Sequence, residues 1–122
     1  MFIKVLKSKI HFAKITEKNL FYEGSLTLDE ELMKTANLKP FEAVWIYNLE
    51  NGKRFETYLI PGKTQEVCLN GAAARLGEVG DRIIIASYAW IEEKELENFQ
   101  VKLVFLDEQN KIVQVNQEKV NF

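Results

Sequence analysis

The chain has one cysteine, Cys68, and one histidine, His11, among its 122 residues. A lone cysteine excludes an internal disulfide and any multi-cysteine zinc site. A lone histidine argues against metal chemistry built on imidazoles and against a dense histidine acid–base network. No stretch approaches the length of a membrane span, so no membrane partner is expected. Lysines interrupt the N-terminal MFIKVLKSK every few residues, which leaves no signal-peptide core. Neither sign of charge dominates: 16 basic residues face 18 acidic ones, for a net charge of −2. A nucleic-acid partner normally demands a basic face and is not expected here, although Lys4, Lys7 and Lys9 form a local basic patch. Internal repeats, low-complexity tracts and linkers are absent too. Together these absences point to one reduced, cytoplasmic domain spanning 1–122.

What is present is an ordinary globular balance, 47% hydrophobic and 28% charged. Short apolar or alternating runs recur between turn signals, the pattern of a mainly β protein. Residues 2–6 and 9–16 read as strands. Residues 27–40 read as a helix, with Leu28, Leu32 and Ala36 on one stripe and Pro40 beyond its end. Thr27 and Glu30 have capping-box spacing, and Asp29 is a rival N-cap. Residues 42–48 and 53–60 flank Asn51-Gly52, the strongest hairpin dipeptide, and Pro61-Gly62 ends the second strand. Residues 66–69 resume a strand, 79–81 turn, and 82–90 form an isoleucine-rich buried strand. Residues 92–98 read as a solvated turn or one helical turn. Residues 101–105 and 111–115 make a closing hairpin. These elements add up to a small, mostly antiparallel β-barrel with one or two short helices.

Five segments carry possible chemistry, and each has a structural reading beside it. YEGS (22–25) is a turn signal, yet Gly24 leaves its carbonyl open to approach and Ser25 places a hydroxyl one residue on. His11, in an alternating strand, fits a half-buried structural histidine. Cys68 fits a small core residue. In NGKRFETY (51–58), alternation puts Arg54, Glu56 and Tyr58 on one face and Phe55 and Thr57 on the other, unless a bulge intervenes. That strand is either a charged surface hairpin or a guanidinium clamp for a carboxylate, with the Tyr58 phenol four residues along to deliver a proton. NGAAA (70–74) is either a tight corner or a place where backbone N–H groups come very close to a ligand, with Asn70 adding its amide.

In order and spacing, Lys9-x-His11, YEGS, NGKRFxTY, NGAAA and VGDxxIIAS (79–87) together resemble the bacterial aspartate decarboxylases, small pyruvoyl-dependent enzymes. The resemblance spans residues 1–90; one local departure is ARLGEVGD (74–81), where Arg75 and Glu78 add charge near a subunit contact. The resemblance implies a double-psi β-barrel assembled as a homotetramer, with sites near subunit interfaces. It implies self-cleavage between Gly24 and Ser25 into residues 1–24 and 25–122, with Thr57 a hydrogen-bond donor to the Gly24 carbonyl oxygen. Residue 25 then becomes a covalent pyruvoyl group, and neither pyridoxal phosphate nor a metal is called for. On this view the pyruvoyl ketone forms a Schiff base with L-aspartate, CO2 leaves, and Tyr58 protonates Cα to give β-alanine for pantothenate and coenzyme A. Lys9 and Arg54 hold substrate carboxylate, Thr57, Asn70, Gly71, Ala72 and Ala73 bind and orient it, and His11 and Tyr22 line the pocket. Two other readings stand beside this one: a non-catalytic β-barrel binding domain, and a pyruvoyl enzyme acting on another acidic amino acid.

Overall fold

A computed structural model describes all of residues 1–122. Its strands begin with β1 (Phe2–Lys14), β2 (Glu17–Asn19) and β3 (Ser25–Asp29), followed by the helix α1 (Glu30–Thr35). β4 (Ala43–Asn48), β5 (Arg54–Gly62) and β6 (Val67–Asn70) come next, and a 3-10 turn, Gly71–Arg75, closes this part. β7 (Arg82–Glu92), a second 3-10 turn (Glu93–Asn98), β8 (Gln100–Leu106) and β9 (Ile112–Lys119) complete the chain. The strands form one sheet in the order β2-β6-β3-β5-β4-β7-β1-β8-β9, mixing parallel and antiparallel neighbours as a small β-barrel.

The N-terminal alternation gives one strand where the sequence suggests two. Its register against β7 slips between Leu6 and Ser8, and again between Ile10 and Ala13. A bulge restarts the side-chain alternation without ending the strand. Lys7 sits at the first slip, and its ammonium reaches the Glu42 carboxylate at 2.8 and 3.0 Å.

The helix is shorter than its apolar stripe predicts. Residues Leu26 to Asp29 pair parallel with β5 and antiparallel with β6 from Leu28 back to Ser25, so ladder hydrogen bonds claim the first part of the segment. Asp29 is the N-cap: its Oδ1 accepts from the Glu31 and Leu32 amides at 2.9 and 3.2 Å, and its Oδ2 from the Gln65 amide at 2.7 Å. Thr27, inside β3, takes no part in capping. At the other end Asn37 turns left-handed (φ +58°), and the Leu38 and Asn37 amides return to the Met33 and Lys34 carbonyls. That is the two-bond Schellman closure, with asparagine standing in for glycine.

β4 and β5 run antiparallel from Tyr47↔Arg54 to Ala43↔Tyr58 without a slip. Their connection uses Gly52 at φ +74°, while Asn51 keeps a negative φ and turns its side-chain oxygen to the Lys53 amide. A core of 20 buried residues, including Ile10, Leu26, Leu28, Ile46, Leu59, Leu69, Ile83 and Ile85, fills the interior. Burying this apolar surface is the main force holding the strands together.

Candidate active site

The antiparallel β3/β6 ladder sets the centre of the site. It places Ser25 opposite Asn70 and Thr27 opposite Cys68. Residues two apart on a strand share a face, so these four side chains meet on one side of the ladder. Ser25 is 1% exposed and Asn70 3%. Asn70 Nδ2 donates to Ser25 Oγ at 3.0 Å and to Thr27 Oγ1 at 2.8 Å. The Ser25 backbone has φ +125°, a region that a residue with a Cβ enters only under strain. The strain therefore falls on the residue following the Gly24 carbonyl.

A cavity of about 270 Å³ opens beside this ladder. Gly24 and Ser25 line it with Thr57 and Tyr58 from β5, Asn70 from β6, and Ala72 and Ala73 from the following 3-10 turn. Phe55, Glu56 and Leu76 complete the wall. The volume lies just below the usual range of about 300–1,000 Å³ for drug-sized ligands, which suits a small amino acid. β5 has no bulge between Arg54 and Tyr58, so Thr57 and Tyr58 leave opposite faces of the strand, yet both residues line the cavity.

Small residues in NGAAA serve close approach. Gly71 is left-handed (φ +60°), and a Cβ there would fall within 3.0 Å of the Gly24 backbone and the Tyr22 carbonyl oxygen. The 3-10 turn thus presses directly on the segment that precedes Ser25.

The other sequence-derived candidates lie outside the cavity wall. Arg54 is exposed and its guanidinium sits 4.6 Å from the centre of the Tyr47 ring. Lys9 is half-buried on β1, opposite Ala86 and Leu103. His11 packs between the Phe12 and Phe105 rings, with a buried Nδ1 that has no hydrogen-bond partner. Burial, and then the nearby Lys9 ammonium, holds the His11 imidazole below its usual pKa. Tyr22 is 49% exposed. Within one chain, the cationic pair and the cavity are separate.

Two contributors escape sequence reading, Thr27 and Cys68. Thr27 shares the Asn70 amide, and Cys68 donates its thiol to Asn70 Oδ1 at 3.3 Å. Their spacing from Ser25 and Asn70 is visible in the sequence, but the pairing of β3 with β6 that unites them is not.

A strained, buried serine behind a glycine thus shares a small cavity with an amide donor and a phenol, in a small β-barrel. The family model for aspartate decarboxylase matches residues 1–113, and the chain belongs to that family. A protein named aspartate 1-decarboxylase from Sulfurihydrogenibium sp. is 57% identical over 97% of this chain and 90% of its own length. One of the same name from Persephonella marina is 60% identical over 88% of this chain and 79% of its own. A third, from Caldicellulosiruptor bescii, is 52% identical over 98% and 94%.

Proposed function

We propose that this chain is an aspartate 1-decarboxylase that cuts itself between Gly24 and Ser25 and then converts L-aspartate to β-alanine and CO2. The observation that carries the reading is Ser25: buried, at φ +125°, its Oγ held by Asn70, at the wall of a small cavity.

Self-cleavage begins when Ser25 Oγ bonds to the Gly24 carbonyl carbon. The bond from that carbon to the Ser25 nitrogen breaks, and the hydroxyl proton ends on the nitrogen, leaving an ester. Thr57, in the same wall as Gly24, is the hydroxyl donor for the oxygen that becomes negative in between. Asn70 Nδ2 faces the oxygen that attacks. The same oxygen leaves with the Gly24 carboxylate when the Ser25 Cα proton is lost and the Cβ–Oγ bond breaks. Water then displaces ammonia from the dehydroalanine, and residues 25–122 begin with a pyruvoyl group.

The site fits that group. Gly71 permits the close backbone approach, and Ala72 and Ala73 keep the space beside residue 25 open. A pyruvoyl group at position 25 supplies a carbonyl electron sink, which no side chain offers for the carbanion left by CO2 loss. Tyr58 holds the proton that Cα takes up. Asn70 and the backbone of Gly71, Ala72 and Ala73 orient the substrate. Lys9 and Arg54 provide positive charge for its carboxylate, and a homotetramer with sites near the subunit interfaces would bring those cations to the cavity from a neighbouring chain. The product would feed pantothenate and coenzyme A synthesis in the cytoplasm; no helix here is long and apolar enough to cross a membrane.

Intact mass under denaturing conditions tests the reading. Two species are expected: residues 1–24, and residues 25–122 with a ketone in place of the N-terminal amine. Ser25→Ala should give one whole chain without β-alanine production; two fragments from that variant would move the cleavage site elsewhere. Faster turnover of glutamate than aspartate would overturn the substrate assignment and leave the maturation intact.

A further inference from the structure

The Asn70 amide can face Ser25 in two ways, and only one puts a donor on Oγ. With Nδ2 toward β3 it donates to Ser25 Oγ and Thr27 Oγ1; rotated by half a turn, it would present Oδ1 to both. The hydroxyls do not choose between these states, because each can donate or accept. The choice falls to whatever stands at the other end of the amide. There the fold offers Oδ1 one donor, the Cys68 thiol at 3.3 Å. After the half-turn, the thiol would meet an N–H₂ group, and sulfur is a poor acceptor.

We infer that Cys68 is a positioning residue for maturation: its S–H holds the Asn70 amide with Nδ2 toward Ser25 Oγ. The inference rests on the self-cleavage reading above. Cys68 is 5% exposed, so water does not compete freely for Oδ1. Its rival acceptor, the Leu69 carbonyl, is 4.0 Å away. Burial, then the Glu17 and Glu66 carboxylates, raises the thiol above its usual pKa, so at neutral pH it retains the proton it donates. With the amide locked, the charge that Oγ carries as it loses its proton, and again as the Gly24 carboxylate departs, meets an N–H. With the amide reversed, that charge meets a carbonyl oxygen.

The test compares the full-length wild type with Cys68→Val, Cys68→Ala and Cys68→Ser. Freshly purified protein is held at constant temperature, and loss of the uncut chain is followed by intact mass, with thermal midpoints as a folding control. Cys68→Val keeps the bulk but has no donor, and should cleave at least about tenfold more slowly than wild type. Cys68→Ser restores an O–H and should cleave within about threefold of wild type. Should valine not fold there, the alanine and serine variants give the same comparison. Equal rates for valine and wild type, or serine as slow as valine or alanine, would overturn the positioning role while leaving self-cleavage standing. A wild-type chain that never cleaves would overturn both.

Discussion

A Cβ added to Gly71 would lie 2.9 Å from both the Cα and the N of Gly24. Real Cβ atoms do not approach backbone so closely, and the φ of +60° at Gly71 adds strain for any other residue. Gly24 differs: a Cβ there would meet nothing within 4 Å. The two glycines therefore separate by experiment. Gly71→Ala should lose about 1–3 kcal/mol of stability and cut itself much more slowly, since the scissile segment must move. Gly24→Ala should fold as the parent does, and any slowing of its cleavage would report on access to the carbonyl. Thermal midpoints of uncut chains and cleavage time courses decide the matter; a Gly71→Ala chain that matches wild type in both would show that the contact relaxes without cost.

Tyr58 shares the cavity wall with Ser25 and Thr57, and in the proposed mechanism it takes no part in the acyl shift. Tyr58→Phe should give both fragments at the normal rate. Its β-alanine production should then fall by about 10²–10⁴-fold, the span a positioned general acid contributes. Normal turnover in the cleaved variant would remove Tyr58 as the proton donor.

Arg54 stacks on Tyr47 outside the cavity of its own chain, and the proposed role has it reach substrate from a neighbouring chain. Arg54→Ala should leave cleavage unchanged. It should reduce kcat/KM for aspartate by about ten- to hundredfold, the worth of a charge-assisted bond to a carboxylate. An unchanged kcat/KM would make Arg54 a surface residue.

Local signals in the sequence carried far, and long-range pairing set their limit. The isoleucine-rich run at 82–90, the hairpin around Gly52 and the closing hairpin all form where turn chemistry and alternation place them. The helix at 27–40 was too long because an apolar stripe at Leu28, Leu32 and Ala36 does not reveal that β5 and β6 both pair with its first residues. Asp29 and Thr27 were equally good caps in sequence; the strand on Thr27 decided between them. The same long-range pairing made Ser25, Thr27, Cys68 and Asn70 one cluster, which is why Cys68 looked like plain core. The resemblance named Ser25, Thr57, Tyr58 and Asn70 together, and the fold does bring them to one cavity. It also named Lys9 and Arg54, which a single chain leaves outside the cavity wall: Lys9 lies on β1, which does not pair with β3, and Arg54 opens β5 stacked on Tyr47, ahead of the stretch of β5 that pairs with β3.

Glu42, just ahead of β4, ties three strands together, β1, β5 and β7. It accepts from Lys7 Nζ through both oxygens, from the Lys39 amide at 3.0 Å and from the Ser87 hydroxyl, while its carbonyl takes the Leu59 amide at 3.1 Å. Burial pushes its pKa up, but the Lys7, Ser87 and Lys39 hydrogen bonds outweigh that and leave it below its ordinary value of 4.5. An acid with a depressed folded pKa stabilises the fold fully above its unfolded pKa, and loses that contribution as pH falls through the folded one. Lys7→Met should therefore cost about 1–3 kcal/mol at pH 7, a range set by hydrogen bonds to a charged group that is only partly exposed. The gap to the parent should shrink steadily below pH 4.5, because the parent is losing the same interaction. Urea titrations of the uncut Ser25→Ala chain, with and without Lys7→Met, keep unfolding to one continuous polypeptide. A gap that stays constant from neutral to acid pH would mean that Lys7 supports the strand junction through its hydrocarbon stem rather than its charge.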